Sequence, residues 1–405
     1  MKSSWFTAAL CAFPAMVMAS RLYAASYAGI VSTLSLAPAS NGTGNLSVIA
    51  ESTGCGPSPS WLMLDGPHDI LYCLDEGLNV PNGSIASFHT NANGSLTPIK
   101  HIETISGPVM SVLYSASGVP DREFIAVAHY DGSAVTTYSV DPIAGDFNRF
   151  QTFNFHMDGP GPNAGRQDAP HPHGAYLDPT GRFVLVPDLG ADFVRIFEIN
   201  QYTGQLKEVS PLVTKPGLGP RHLAFWTPKN ASGAQVANGE VDVYCYLVSE
   251  LMNSLTGYKV AYSESESMEF TSVYEESTFG GQKPGPDGSK ASEIAISPTN
   301  NHVIISNRLD STFGPKNDSF AIFSIANASG TAFTKPSFLG LEPAYGVNPR
   351  QFEISPGKQQ HLVAVALQDG EEVVVTTWDE KEGRTGALYA KKAMKGQIPA
   401  VVWDH

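Results

Sequence analysis

Residues 173–199 read HGAYLDPTGRFVLVPDLGADFVRIFEI. An apolar run at 173–179 ends in a Pro-Thr-Gly turn. A second at 183–188 ends in Asp-Leu-Gly, and a third fills 193–199. Strand-length runs joined by tight turns read as an antiparallel meander. The same phrase recurs at 60–66 then 70–74, 109–115 then 124–129, 221–228 then 243–250, 292–298 then 302–307, and 350–356 then 361–367. Third runs follow at 320–325 and 373–378, and a weaker fourth follows several copies. Six copies of about 50–70 residues, each worth four strands, read as propeller blades. Two end pieces remain, 27–35 with 45–50 and 399–403. Joined, they supply a seventh blade and shut the ring, which leaves few exposed sheet edges. The expected fold is therefore all-β: one seven-bladed β-propeller of four antiparallel strands per blade over residues 25–405, closed by its N- and C-terminal strands.

The chain has 405 residues, 42% hydrophobic and 16% charged, with 38 Gly and 29 Pro. That is core-forming material rich in turns. With 25 Lys+Arg against 39 Asp+Glu the net charge is −14. No basic run is present, so nucleic acid is not an expected partner. Residues 1–24 are laid out as a secretory leader. Lys2 precedes an apolar stretch at 5–18, and small residues follow, with cleavage after Ala19 or Ala24. Pro14 and the shortness of the stretch oppose a membrane span. Secretion without membrane attachment is the expectation, and a cytoplasmic protein is the alternative if the leader reading fails. Asn-X-Ser/Thr occurs at Asn41, Asn45, Asn82, Asn93, Asn230, Asn317 and Asn327, as suits a secreted glycoprotein. Beyond Cys11 remain Cys55, Cys73 and Cys245; Cys55 and Cys73, close in sequence, are the expected disulfide. Oligomeric state is left open.

Aligning the copies sets unlike polar residues at matching places. His173, Arg221, Ser292 and Arg350 start the first strands, with Gly174, His222, Glu293 and Gln351 one residue on. His129, Asp188, Glu250 and Asn307 end the second strands, with Arg308 one further. In an antiparallel hairpin the start of one strand lies beside the end of the next. Both sets therefore meet at one rim of the channel, a natural small-molecule pocket. The competing reading, blade-to-blade hydrogen bonding, weighs most on Arg350, Gln351 and His222. Gly/Pro-rich segments at 155–169, 227–239 and 280–290 exceed a minimal blade, and two of them bring Arg166 and Lys290. His171-Pro-His173, with Asp168 or Glu250, has the makings of a metal site. Two nearby Arg oppose a dication, and neither a zincin helix motif nor Cys-x-x-Cys is present, so no metal is expected. Gly-x-Ser-x-Gly and Gly-x-Gly-x-x-Gly are missing too, which leaves serine-triad and nicotinamide chemistry unsupported and no cofactor expected.

Four segments carry a resemblance: 169–200 (APHPHGAYLDPTGRFVLVPDLGADFVRIFEIN), 219–225 (GPRHLAF), 291–308 (ASEIAISPTNNHVIISNR) and 348–355 (NPRQFEIS). Together with 161–173 (GPNAGRQDAPHPH) they resemble the seven-bladed propeller lactonases, which include 6-phosphogluconolactonases and fungal 3-carboxy-cis,cis-muconate lactonizing enzymes. The resemblance runs from about Tyr27 to Asp404. It implies His173, Arg221, Glu250 and Arg308 as catalytic, and an anionic lactone or carboxylate as substrate. His171, Arg166, His222, Glu293 and Arg350 are the expected substrate-binding residues. Glu250 or His173 would be the base, with Arg221 and Arg308 holding the anion. The same residues would serve a lyase-type lactonizing reaction, and a non-catalytic propeller that binds protein or glycan is the rival from another class. Gly174 and Gln351 depart from the family's usual residues, and the first two blades match weakly.

Overall fold

The computed structural model describes residues 20–39, 42–262, 267–281, 284–327, 329–356 and 361–404. The apolar part of the expected leader lies outside the described residues. Seven four-stranded antiparallel sheets follow one another around a ring. Blades 1 to 6 begin with the inner strands Pro59–Asp65, Pro108–Ser115, Tyr176–Leu177, Pro220–Trp226, Lys290–Ile296 and Pro349–Ile354. The inner strands of neighbouring blades abut one another around the channel. Blade 7 is composite. Its inner strand Ala400–Asp404 pairs with Ser20–Ser26, which pairs in turn with Ile30–Pro38. An Arg21–Asp404 ion pair of 2.6 Å fastens the closure.

Closure corrects one expected boundary. Ser20–Ser26 is paired on both sides, and Leu22, Tyr23 and Ala24 are fully buried in it. Residues 20–24 therefore belong to the propeller, not to a segment ahead of residue 25. In sequence this strand, SRLYAAS, is short and small-residue-rich, and so resembles the tail of a leader.

The core is divided among the blade interfaces. Seven apolar clusters each join two adjacent blades. Middle strands are buried on both faces, which explains their near-continuous hydrophobic runs. In His302–Arg308 the alternation is plain: Val303 and Ile305 pack towards blade 4, and Ile304 towards blade 6. Outer strands such as Leu206–Val213 are half exposed and carry the charges. The insert at 227–239 holds a short helix, Gly233–Ala237, begun by a Ser232/Gln235 capping box. No helix among the described residues is long and apolar enough to cross a membrane. Cys55 and Cys73 are disulfide-bonded with Cα atoms 5.8 Å apart, and Cys245 is a buried thiol.

Candidate active site

The site is built by irregularity at the start of the inner strands. The pairing there skips one residue: Ser60 in blade 1, Val109 in blade 2, Arg221 in blade 4 and Arg350 in blade 6. Such a bulge re-aims a side chain out of the ladder. Each skipped residue follows a proline that pairs with the last ladder residue of the second strand. Blade 5 skips both Ser292 and Glu293, and blade 3 starts as a lone Pro172–Asp188 bridge with His173 next. Ser60, Val109, His173, Arg221, Arg350 and Pro399 consequently surround the throat of the channel. Their backbones are latched blade to blade: Ser60 Oγ donates to Pro108 O at 2.9 Å, and Ser292 Oγ to Arg350 O at 2.7 Å.

A second ring comes from the residue just past the ladder on each second strand. These residues are Tyr27, Glu76, Tyr130, Leu189, Glu250 and Gln368, and their counterpart in blade 5 is Arg308, which still pairs with Lys290. Glu250 is therefore equivalent to Arg308, one place away from the expected alignment with Asn307. His129 and Asp188 stay in the ladder and are structural. His129 Nδ1 lies 3.1 Å from Ile105 O, and its Nε2 lies 2.8 Å from Thr136 Oγ1. Asp188 accepts from His171 N, Ala191 N and Arg195 Nε.

Between the rings lies a cavity of about 290 Å³. Five cationic side chains line it, Arg166, Arg221, Lys290, Arg308 and Arg350, against two carboxylates, Glu76 and Glu250. Val109, Tyr130 and His173 complete the wall. A larger hollow of about 780 Å³ near His361, Trp378 and Arg384 lies on the outer strands of blade 6 and gathers no comparable set.

Glu250 is the hub. Its carboxylate meets Arg166 NH1 at 2.6 Å, Arg221 Nε at 3.0 Å and Arg308 NH2 at 2.7 Å. Burial alone would raise its pKa, but Arg308, Arg166 and Arg221 hold it far below the usual carboxylate range. Arg221 is pulled down to about 9 by burial and by Arg308, so it stays charged at neutral pH. Arg308 Nε is buried without a hydrogen-bond partner. Lys290 forms no ion pair among the described residues, and burial lowers its pKa. His173 Nδ1 is also buried without a partner. Burial, then the Arg221 charge, push the His173 pKa well below its ordinary value, so the ring is neutral.

On the other side of the cavity, Glu76 accepts from Tyr27 OH at 2.6 Å and lies 3.6 Å from Arg350 NH2. Arg350 NH1 donates to Gln368 Oε1 at 3.2 Å.

Arg166 arrives on the 155–172 insert, which folds back over blade 3. Gln167 is fully buried and donates to Leu189 O at 3.0 Å. Gly190 admits the insert, because a Cβ there would lie 1.8 Å from Ala169 O. His171 stacks on Tyr130 at 4.2 Å and bonds Tyr130 O and Asp168, and thus anchors the insert. Arg166 in turn donates to Tyr130 OH.

The sequence-predicted residues thus divide. His173, Arg221, Glu250, Arg308, Arg166, Arg350 and Lys290 converge on the cavity. Three expected substrate-binding residues do not line it. His171 is an anchor, and it presents no common ligand face with His173, which meets Tyr130 edge-on. His222 and Glu293 form a buried pair at 2.9 Å in the layer beneath, with His222 against Arg221 and His173. Among the described residues, metal-ligand spacing occurs at Asp65, His68 and Glu123, at the other end of the blade 1 inner strand.

The sequence model of the family described as Lactonase, 7-bladed beta-propeller matches residues 21–403. The chain belongs to that lactonase family. A probable 6-phosphogluconolactonase of Arthroderma benhamiae is 32% identical over 368 residues, covering 90% of this chain and 84% of the relative. A 6-phosphogluconolactonase of Formosa agariphila is 28% identical over 342 residues, covering 83% of this chain and 86% of the relative. The structure of the Pseudomonas aeruginosa periplasmic gluconolactonase superimposes with a TM-score of 0.73 at 21% identity, covering 95% of this chain and 99% of that one, a likeness of fold.

Both departures from the family's usual residues have local reasons in this lactonase-family chain. A Cβ on Gly174 would lie 2.6 Å from the Tyr176 ring and 3.1 Å from Arg221 O. Gln351 Oε1 accepts from Val401 N at 2.8 Å, tying blade 6 to the closing strand. Sequence reasoning missed Glu76, Tyr130 and Tyr27. The signal was available: each directly follows a second strand, as Glu250 does.

Proposed function

We propose that the protein hydrolyses a small lactone carrying a carboxylate or phosphate in the pocket of Arg221, Glu250 and Arg308. The observation that carries this reading is the charge surplus. Five cations face two carboxylates in a cavity of about 290 Å³, on a chain of net charge −14. Glu250 gathers three guanidiniums and keeps them pointing inward without cancelling them. Arg308 Nε and Lys290 have donor capacity left for an anion. The same donors stabilise the oxyanion that forms when water adds to the lactone carbonyl. Neutral His173 can orient the water or the leaving oxygen, but the surrounding arginines oppose its protonation.

The test is a pH-stat assay on phosphorylated, carboxylated and neutral lactones of one ring size. The expected result is turnover of an anionic lactone with KM at least about tenfold below that of its neutral counterpart, the equivalent of one charged hydrogen bond. No turnover of any lactone overturns the reading.

The proposal extends to an extracellular site of action. Supporting it are the leader-like residues 1–19, the exposed sequon residues Asn45, Asn82, Asn93 and Asn230, and the Cys55–Cys73 bond. Outside the cell, a sugar-acid lactone with a carboxylate is the favoured substrate over a phosphosugar. Because Ser20–Ser26 is needed to close the ring, processing after Ala19 is expected. N-terminal sequencing of secreted protein should begin at Ser20; an intact Met1 on the mature product contradicts export.

A further inference from the structure

The two groups that the sequence offers as base are both poor proton acceptors in place. Glu250 is bound by three guanidiniums within 3.0 Å, and His173 faces Arg221 and its neighbours with its proton affinity suppressed. A proton on Glu250 would break these ion pairs; a proton on His173 would add a cation to a cationic site. The cavity wall holds one more candidate. Glu76 follows the second strand of blade 1, at the place Glu250 has in blade 4. Its nearest cation, Arg350, is 3.6 Å away and is shared with Gln368. Its firm hydrogen bond comes from Tyr27 OH at 2.6 Å, to Oε2.

Resting on the lactonase reading, we propose that Glu76 is the catalytic proton acceptor of the pocket and that Tyr27 is its positioning residue. Glu76 takes one proton from a water as the water oxygen bonds to the lactone carbonyl carbon. The tetrahedral oxyanion is held by the guanidinium side of the cavity. As the carbonyl re-forms, the ring C–O bond breaks and the leaving oxygen takes the proton back from Glu76. Lactone and water become hydroxy acid, and Glu76 ends as the carboxylate. Tyr27 donates to Oε2 and keeps the carboxylate in one rotamer. The two sides thus divide the work: Glu250 organises cations, and Glu76 handles the proton.

The experiment uses the full-length protein and a lactone that the wild type turns over. Glu76→Gln keeps the shape and removes the basicity. It should lower kcat by roughly 10²–10⁴-fold, the usual worth of a positioned acid–base group, without raising KM for an anionic substrate. The acidic limb of the kcat/KM profile should vanish with it. Glu76→Ala should regain part of its rate in added formate, which a purely structural carboxylate would not show. Tyr27→Phe removes the hydrogen bond that holds the Glu76 carboxylate in place, so kcat should fall while KM and the fold are kept. Wild-type kcat with an intact acidic limb in Glu76→Gln overturns the proposal, as does a Glu76→Ala variant that formate leaves unchanged. In either case wild-type turnover would still stand for the lactonase reading. A wild type inert towards every lactone would instead defeat that reading first.

Discussion

Glu250 and Glu76 hold the same place in blades 4 and 1, yet they sit on opposite sides of one pocket in opposite company. Glu250 has three arginines within 3.0 Å, drawn from the 155–172 insert and from blades 4 and 5. Glu76 has a tyrosine hydroxyl at 2.6 Å and one arginine at 3.6 Å, from blades 7 and 6. The repeat fixes where the carboxylate stands; residues from other blades decide what it does. A carboxylate saturated by cations is a counter-charge, whereas one held by a neutral donor and a single longer ion contact is not tied up in a cluster of cations.

The contrast predicts unequal costs of removal. Glu250→Ala leaves the buried guanidiniums of Arg221 and Arg308 and the half-buried one of Arg166 facing one another without an anion. Breaking a buried ion pair by removing one partner typically costs about 3–5 kcal/mol. Unfolding in urea should show a loss of that order, together with abolished turnover. Glu76→Ala removes one longer ion contact and the Tyr27 hydrogen bond and should cost less, roughly 1–3 kcal/mol, the worth of a buried donor left without its acceptor. Equal penalties for the two substitutions would break the comparison.

The arginines should divide in the same way. Arg308 has a buried Nε with no acceptor, whereas Arg350 is already shared among Gln368, Glu76 and the Tyr27 ring. Arg308→Gln should raise KM for an anionic lactone roughly 10–100-fold, the worth of a charged hydrogen bond. Arg350→Gln should raise it by about tenfold at most, since less of its donor capacity is free. Steady-state kinetics on both variants check this, and a larger KM effect at Arg350 would move the anion subsite to the Glu76 side.

Most of the fold was legible because middle strands buried on both faces repeat the same apolar phrase. HPHGAYLDPTGRFVLVPD and ASEIAISPTNNHVIISNR carry it most plainly. The ring closure was legible as two leftover ends. The exception was Ser20–Ser26, whose small residues pass for a leader tail until the pairing with Ala400–Asp404 is seen. Within the site, the convergence of His173, Arg221, Glu250 and Arg308 on one cavity was legible because they stand at the rim ends of repeated strands. A one-residue bulge was not, since periodicity does not register a skipped ladder position. That slip aligned Glu250 with Asn307 and left Glu76 and Tyr130 unnoticed. His171, His222 and Glu293 stand off the cavity wall for a further reason. Sequence gives the rim but not the depth, and these three lie behind or beneath the wall, where they bond to protein.

Acid unfolding offers the finest resolution of the comparison. A buried neutral histidine whose pKa is lowered by folding leaves the unfolded chain the better proton binder below about pH 6.5. Stability then falls as pH drops below that value, and for His129 the fall continues to the folded value of about 3. Burial is the cause there, as it is first for His173. Glu250 adds a separate wave. Its folded pKa is depressed, so its contribution is fully present above the unfolded value of about 4.3 and is lost as pH falls towards the folded one. Each group steepens the slope by at most about 1.4 kcal/mol per pH unit. His129→Gln should therefore flatten stability from about pH 6.5 down to about 3, and Glu250→Gln should leave it unchanged above about pH 4.3 and flatten it only below. Urea midpoints across that range separate the two windows. A Glu250→Gln protein that keeps the full wild-type slope below about pH 4.3 would mean that the three arginines do not hold this carboxylate charged, and the distinction between the two sides of the pocket would go with it.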